Sequence, residues 1–142
     1  MDWNSFDKGI FLVNVLGIIY DPKTKKILIG KRKNDEHVPQ LTWCFPGGRP
    51  EYEEDLEVYL KRQIKIKTNL NVAVKKVIFA KTYPEKREFL SIYYLCEFIE
   101  GETRAQEKLV EVKWIRPTEV TDYFTTSLHS KLFELLKNLN NT

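Results

Sequence analysis

The sequence predicts an α+β domain built of layered strands and helices. Strand-like segments, rich in β-branched and aromatic residues, lie on both sides of one central helical segment. A second helical segment follows the last of these strands, and neither an internal repeat nor a low-complexity tract interrupts the order. The 142 residues are a usual length for one hydrophobic core. We therefore expect one domain over residues 1–142.

Two strands are predicted ahead of the central helix. The apolar run from Ile10 to Tyr20 is followed by turn residues at 21–24 and by a second apolar segment, Ile27 to Gly30. A short apolar stretch at 43–45 then stops at Pro46-Gly47-Gly48. Because proline and glycine favour turns, the chain is expected to reverse sharply there.

The central helix is predicted from about Glu53 to Lys67. Its first turn is acidic, which complements the positive N-terminal end of the helix dipole. Asn69 is suited to end the helix, because asparagine tolerates the left-handed conformation of a helix C-terminus. Apolar residues recur every four positions along one face of this segment: Leu56, Leu60 and Ile64.

Three further strands and a last helix are predicted after the central helix. The strand segments are Val72 to Tyr83, Phe89 to Ile99 and Leu109 to Ile115. Ser127 is suited to cap the helix that follows. That helix carries an apolar stripe formed by Leu128, Leu132, Leu135, Leu136 and Leu139.

Composition narrows the class of partner. A content of 42% hydrophobic and 30% charged residues is that of a folded globular chain, and it excludes both a disordered and a membrane-embedded class. The formal charge of +3 and the pI near 8.8 favour an anionic ligand. They fall short of the concentrated basic face of a nucleic-acid-binding protein. We expect no membrane partner and no specific nucleic acid.

The two cysteines, Cys44 and Cys96, lie far apart in a sequence without a secretory signature. This usage predicts free thiols in a reducing compartment. We therefore expect a cytoplasmic location.

The segment from Pro46 to Leu70 carries a motif. Pro46-Gly47-Gly48-Arg49-Pro50-Glu51 precedes a helix that bears Glu54 and Arg62, and this arrangement resembles the Nudix hydrolase family. The box of that family is written G-x5-E-x7-R-E-U-x-E-E-x-G-U, in which U is aliphatic. The positions that match the box without a gap are Gly48, Glu54, Arg62, Ile64 and Leu70.

Two segments outside the box extend the resemblance. Residues 29–32, followed by Trp43, resemble the family's second strand and approach loop, and residues 107–120 resemble its later acidic strand with a tryptophan. The resemblance implies an α/β/α sandwich, with a mixed β-sheet, the box helix on one side and a C-terminal helix. It also implies a hydrolase of nucleoside diphosphates linked to another moiety, which uses Mg²⁺ or Mn²⁺. Many family members pair, so a homodimer is a further expectation.

The helix departs from the family's box at three positions. Gln63, Ile66 and Lys67 stand where the box has glutamates. At about 100° per residue, these side chains project into one sector of the helix, where clustered carboxylates share divalent ions. An amide, an isoleucine and an ammonium offer such an ion one weak oxygen ligand. The sequence therefore predicts a weak or absent metal site and a reduced or altered activity.

Lys67 suggests a substitute for the metal. Our hypothesis is that its ammonium occupies the region of the metal and attracts a phosphate directly. The alternative is a relocated, weaker metal site that uses Glu54 and Glu51. The resemblance then implies Glu54, Arg62 and Glu107 as catalytic residues. The acidic residues at 51–57 can also simply complement the helix dipole and face solvent.

Further substrate-binding residues are expected around the box. Arg32 and Arg49 are suited to clamp a diphosphate, or else they are surface cations. With Lys67, the remaining predicted substrate-binding residues are Trp43, Gly47 and Gly48. One or two aromatic residues are expected to stack on a base, and the rest to fill the core, among Trp43, Tyr83, Phe89, Tyr93 and Tyr94.

Two histidines and a local resemblance complete the prediction. His37 and His129 are candidates for a general base, although a lone histidine is usually solvated. Residues 30–34, Trp43 and residues 46–49 locally resemble the GDP-mannose mannosyl hydrolases, which implies a nucleotide sugar as substrate. The alternatives are an inactive module that binds a nucleotide or nucleotide sugar, and a scaffold for protein interaction.

Overall fold

The computed structural model describes residues 9–33, 42–124 and 130–140. The expectations for His37, Ser127, Leu128 and His129 lie outside these residues. The strands are β1 (Leu12–Asp21), β2 (Lys26–Arg32), β3 (Trp43–Cys44), β4 (Gly47–Gly48), β5 (Asn71–Tyr83), β6 (Lys86–Glu100) and β7 (Leu109–Ile115). The helices are α1 (Leu56–Thr68), α2 (Val120–Tyr123) and α3 (Ser130–Asn140), and a 3₁₀ turn, Pro117–Glu119, leads into α2.

In the described part of the chain, the seven strands form one mixed sheet. The main path runs β3-β2-β1-β6-β5, while β4 pairs with β1 and β7 pairs with β2. Strands β1 and β6 are parallel over nine paired positions, and the other pairs are antiparallel. The predicted mixed sheet is confirmed.

Strand β1 changes its partner on one side, and this creates the opening that concerns function. At its end, Tyr20 and Asp21 pair with β2. Further back, Val15 pairs with Gly48 and Leu16 with Gly47. Strand β2 therefore diverges from β1, and the short strand β4 takes its place.

Alternate residues of the strands fill two separate cores, as a period of two requires. Neighbours such as Ile18 and Ile19 are both fully buried, but they face opposite sides of the sheet. The core under α1 includes Ile19, Leu28, Leu60, Ile64 and Cys96. The core under α3 includes Ile18, Ile29, Leu132, Leu136 and Leu139. A helix thus covers each face of the sheet, which confirms the predicted α/β/α sandwich.

Helix α1 begins later than predicted. It starts at Leu56 instead of about Glu53, and Asp55 before it has an extended backbone. The residues just ahead of Leu56 form a turn, in which the Glu54 carboxylate accepts a hydrogen bond from Arg62 of the helix. The predicted end is confirmed, because Asn69 adopts the left-handed conformation with φ 68° and donates its backbone N–H to Lys65 O.

Two further expectations concern the helices and the thiols. No helix within residues 9–33, 42–124 and 130–140 is long and apolar enough to cross a membrane. Cys44 and Cys96 do not form a disulfide bond, as predicted. Burial raises the pKa of the Cys96 thiol to about 12, so this thiol is an inert part of the core under α1.

Candidate functional site

A cleft of about 630 Å³ opens where β2 and β1 diverge. Its walls come from the side of α1, the first halves of β1 and β6, the segment 44–49 and the start of β7. Six residues that the sequence predicts for the site line this cleft: Arg32, Gly47, Gly48, Arg49, Lys67 and Glu107. The fold thus brings together positions that are up to 75 residues apart in the sequence, Arg32 and Glu107 being the extremes.

Lys67 lies on the helical wall of the cleft. Its Nζ donates to the backbone oxygen of Gly47, so this hydrogen bond joins α1 to β4. Burial lowers the pKa of the ammonium below its usual value, and the nearby positive charge of Arg32 lowers it further. A lysine in this position places a partly desolvated positive charge at the cleft surface, where it can attract an anion.

Gln63 and Ile66 line the same wall as Lys67. These three residues present an amide, a hydrocarbon and an ammonium along one stretch of the cleft. Hard divalent ions require several oxygen ligands, and an ammonium repels them. No group of three or more His, Cys, Asp or Glu side chains suited to a metal occurs among the described residues. The donors on this wall do not fit Mg²⁺ or Mn²⁺.

The end of α1 is held by the loop that leads into β7. Gln106 Nε2 donates to Ile66 O at 2.6 Å, and the Gln106 backbone N–H donates to Lys67 O at 3.0 Å. The Arg104 backbone N–H donates to Thr68 O at 2.9 Å. These bonds satisfy carbonyls that a helix C-terminus leaves without partners. They also fix Glu107, the next residue, at the edge of the cleft, where its charge acts on Lys67.

Gly47 is required by the close approach of β4 to β1. A Cβ atom at this position would lie 1.9 Å from Val15 O and 2.9 Å from Leu16 Cα. Both neighbours are backbone atoms, so no side-chain rearrangement can make room. The glycine pair therefore allows the strand pairing that presents the Gly47 carbonyl to Lys67.

Glu51 and Glu54 lie just ahead of α1, and Arg62 lies halfway along it; these three are not among the described residues that line the cleft. The Arg62 guanidinium contacts both carboxylate oxygens of Glu54 and lies 5.5 Å from the centre of the Tyr59 ring. The hydrogen bond from Arg62 holds the pKa of the Glu54 carboxyl below its usual value. Glu51 is exposed. Glu54 and Arg62 thus form an ion pair, while their catalytic role stays a prediction.

The aromatic candidates are divided between the cleft and the cores. Trp43 packs edge-on against Tyr123, with ring centres 5.2 Å apart, and is not among the described residues of the cleft lining. Tyr94 belongs to the core under α1. The three candidates that line the cleft are Tyr83, Phe89 and Tyr93.

The described cleft lining is positively charged. It holds five cationic and two acidic side chains, a net of three positive charges, which suits an anionic ligand. The Arg49 guanidinium lies 5.7 Å from the centre of the Phe89 ring, on the wall formed by β6. The charged side chains are Arg32, Arg49, Lys67, Lys86 and Lys108, with Glu85 and Glu107.

Sequence reasoning named Tyr83 and Tyr93 as stacking candidates, but it missed that their hydroxyls form a group with that of Ser91 on the wall formed by β5 and β6. The Tyr83 hydroxyl donates to Ser91 Oγ at 2.9 Å and lies 2.7 Å from the Tyr93 hydroxyl. Asn14 stands beside Ser91 in the register of β1 and β6. The sequence did contain a signal for this wall, because Asn14 and Ser91 are polar residues within otherwise apolar strand segments. Other cleft residues that were missed include Cys44, Tyr59, Lys86 and Lys108.

Comparison with known proteins supports the resemblance. The family model of the NUDIX domain matches residues 11–138. A curated relative, the ADP-ribose pyrophosphatase of Methanocaldococcus jannaschii, is 34% identical over 107 residues, which are 72% of this chain. The match spans 60% of that protein's length.

Solved structures share the fold. The MutT protein from Methanosarcina mazei Go1 superposes with a TM-score of 0.75 at 16% identity, over 97% of this chain and 100% of that one. The NUDIX hydrolase from Nitrosomonas europaea gives the same TM-score and identity, over 94% of this chain and 74% of that one. With the family model matching most of its residues, this chain belongs to the NUDIX domain family.

Proposed function

We propose that this NUDIX domain binds a nucleoside diphosphate linked to a second moiety, with the diphosphate against Lys67, and that it hydrolyses this ligand slowly or not at all. The observation that carries the proposal is the position of the Lys67 ammonium, which lies in the cleft and donates to the Gly47 carbonyl. Arg32 and Lys108 add positive charge close enough to affect the pKa of Lys67. A polyanion is the ligand that best relieves this repulsion.

The chemistry of the helical wall supports slow turnover. Hydrolysis of a diphosphate requires neutralisation of charge on the phosphate oxygens and help for the attacking water in losing its proton. Lys67 meets the first requirement but, as an ammonium, cannot accept that proton. Glu107 is the acidic side chain on the same part of the cleft, and we assign it the role of general base for any residual turnover.

Two classes of compound are candidates for the ligand, ADP-ribose and a nucleotide sugar such as GDP-mannose, and they differ in the second moiety. The relative from Methanocaldococcus jannaschii is an ADP-ribose pyrophosphatase, which supports ADP-ribose as a ligand for this chain. The local resemblance of residues 30–34, Trp43 and residues 46–49 to the GDP-mannose mannosyl hydrolases supports a nucleotide sugar. In both cases the diphosphate is the shared group, and it is the group that the positively charged cleft lining would recognise.

A panel assay decides between turnover and binding alone. Release of phosphate or sugar from ADP-ribose, GDP-mannose and nucleoside triphosphates is measured with Mg²⁺, with Mn²⁺ and with EDTA. Thermal stabilisation by each compound is measured in parallel. We expect stabilisation in EDTA with little turnover. Rapid, metal-dependent hydrolysis would contradict the proposal and restore the metal site at Glu54 and Glu51, whereas silence in both assays would favour a scaffold for protein interaction.

A matched pair of variants tests the role of Lys67. Lys67→Ala removes the cleft ammonium, and Lys61→Ala removes an exposed lysine from the same helix. Affinity for ADP-ribose is measured by calorimetry in EDTA. The loss of a hydrogen bond to a charged group costs about 1.5–3 kcal/mol, so Lys67→Ala should weaken binding by roughly 10- to 150-fold. Lys61→Ala should bind as the unmodified chain does, and equal affinity of all three proteins would refute the assignment.

A further inference from the structure

The hydroxyl cluster, which consists of Tyr83, Ser91 and Tyr93, lines the cleft on the side of β6. Ser91 is 1% exposed and Tyr93 is 5% exposed, so the cluster is sheltered from solvent. Two hydrogen bonds within the cluster use two of its three hydroxyl protons. Because Tyr83 donates to Ser91, Tyr93 is the donor to Tyr83, and the Ser91 proton remains for donation to another group.

The cluster is rigid and uncharged. Tyr93 is stacked on Phe79, with ring centres 4.6 Å apart, and touches Phe45 edge-on. Burial raises the pKa of the Tyr93 hydroxyl well above its usual value, so this group keeps its proton and its bond to Tyr83. Asn14, beside Ser91 in the sheet register, adds an amide that both donates and accepts.

The register of the sheet sets the separation between the backbones of Tyr93, in the cluster, and Gly47, which contacts Lys67. Leu16 on β1 pairs with Tyr93 of β6 on one side and with Gly47 of β4 on the other. Two strand spacings separate these partners, which is about 10 Å. Gly47 accepts from Lys67, so the hydroxyl cluster and the ammonium stand on opposite sides of one strand. A nucleoside diphosphate derivative is long enough to reach from one to the other.

We propose that the hydroxyl cluster and Asn14 determine specificity by binding an uncharged part of the ligand that carries hydroxyl or amide groups. This inference rests on the proposed function, since it assumes that the diphosphate lies at Lys67. Buried hydroxyls discriminate strongly, because a ligand without matching groups leaves them unpaired. The shared chemistry belongs to the nucleoside and to a terminal sugar alike.

The test compares a whole ligand with its charged part alone. Binding of ADP-ribose, GDP-mannose and inorganic pyrophosphate is measured by calorimetry in EDTA for Tyr83→Phe and Ser91→Ala, and the tighter of the two nucleotides is used for comparison. We expect each variant to bind the nucleotide about tenfold more weakly, because one hydrogen bond is lost, while pyrophosphate affinity stays unchanged. Asn14→Ala, at a half-buried position, provides the same test if a core variant does not fold.

The control is Tyr20→Phe, which removes a half-buried hydroxyl that donates to Leu139 O, away from the cleft. It should leave both affinities unchanged. Variants that bind the nucleotide as tightly as the unmodified chain would overturn the inference and leave the proposed function standing. Equal weakening of nucleotide and pyrophosphate would also overturn it, since the loss would then come from a displaced Lys67. If the unmodified chain binds none of the three compounds, the proposed function itself fails.

A second arm finds which end of the ligand meets the cluster. The affinity of Tyr83→Phe is measured for ADP and for ADP-ribose. A loss with both compounds assigns the cluster to the nucleoside, and a loss with ADP-ribose alone assigns it to the terminal ribose. Each result supports the inference with a different moiety, and no loss with either compound refutes it.

Discussion

Substitution of Gly47 by alanine should separate β4 from β1. The added Cβ would lie 1.9 Å from Val15 O, and 2.9 Å from both Val15 C and Leu16 Cα. Real Cβ atoms do not approach other heavy atoms so closely, and all three neighbours are backbone atoms of the sheet. Relief therefore requires a shift of β1 or the loss of its pairing with β4.

The loss of stability expected for Gly47→Ala can be worked out from the contacts that the substitution disrupts. Overpacking of a close contact costs about 1–3 kcal/mol. Displacement of the segment also weakens the β4–β1 pairing and the 2.8 Å bond from the Gly17 N–H to Pro46 O, each worth about 1 kcal/mol. We expect a loss of about 3 kcal/mol in the free energy of unfolding. For a chain of this size, this lowers the midpoint of thermal unfolding by about 10 °C.

Chemical and thermal unfolding of Gly47→Ala and Gly9→Ala measure this loss. Gly9 is the matched control, because a Cβ there would have no neighbour within 4 Å. Gly9→Ala should stay within about 0.5 kcal/mol of the unmodified chain. If Gly47→Ala were as stable as Gly9→Ala, this would refute the close approach of β4 to β1 described above. The position assigned to Lys67, which donates to the Gly47 carbonyl, would then also lose its support.

Three further predictions concern the helical wall and the end of α1. Affinity for pyrophosphate should be full below the pKa of Lys67 and should fall as pH rises through that pKa. Because burial lowers the pKa below 10.5, the fall should begin at a lower pH than for a solvated lysine. Calorimetry between pH 7 and 10 measures this fall, and Lys67→Arg should shift it to higher pH. Replacement of Gln63, Ile66 and Lys67 together by glutamate should lower the unfolding temperature in EDTA and raise it again with Mg²⁺; a folded variant that Mg²⁺ does not stabilise would refute our account of the wall. Gln106→Ala should cost about 1–2 kcal/mol in chemical unfolding, because the Ile66 carbonyl loses its donor, whereas Arg104→Ala keeps the backbone donor and should cost less than about 0.5 kcal/mol.

Local patterns predicted the elements that are determined locally. The strand Leu109 to Ile115 was predicted with the bounds that the structure gives, and the last residue of α1 was predicted within one position. The start of α1 was wrong by about three residues, because Glu54 forms an ion pair with Arg62 from a turn outside the helix. Propensity favours a helix for an acidic segment, and the competing contact lies eight residues away.

Long-range pairing accounts for what the sequence could not predict about the site. Gly47 and Gly48 indicate a turn by composition, yet they pair with β1, and that pairing depends on residues more than 30 positions earlier. The parallel pairing of β1 with β6 is likewise set by packing, and it alone brings Asn14 next to Ser91. Sequence spacing on α1 was enough to predict that Gln63, Ile66 and Lys67 share one wall, because helical geometry is local.

The anchored side chain of Lys67 has a consequence for how a ligand would be received. A free lysine samples many rotamers, and confining it costs about 2 kcal/mol of conformational entropy. Its bond to the Gly47 carbonyl confines the side chain already in the ligand-free fold, so that entropy is lost during folding instead of during association. Binding would then proceed with little rearrangement of the receptor, which favours tighter capture at the same number of contacts.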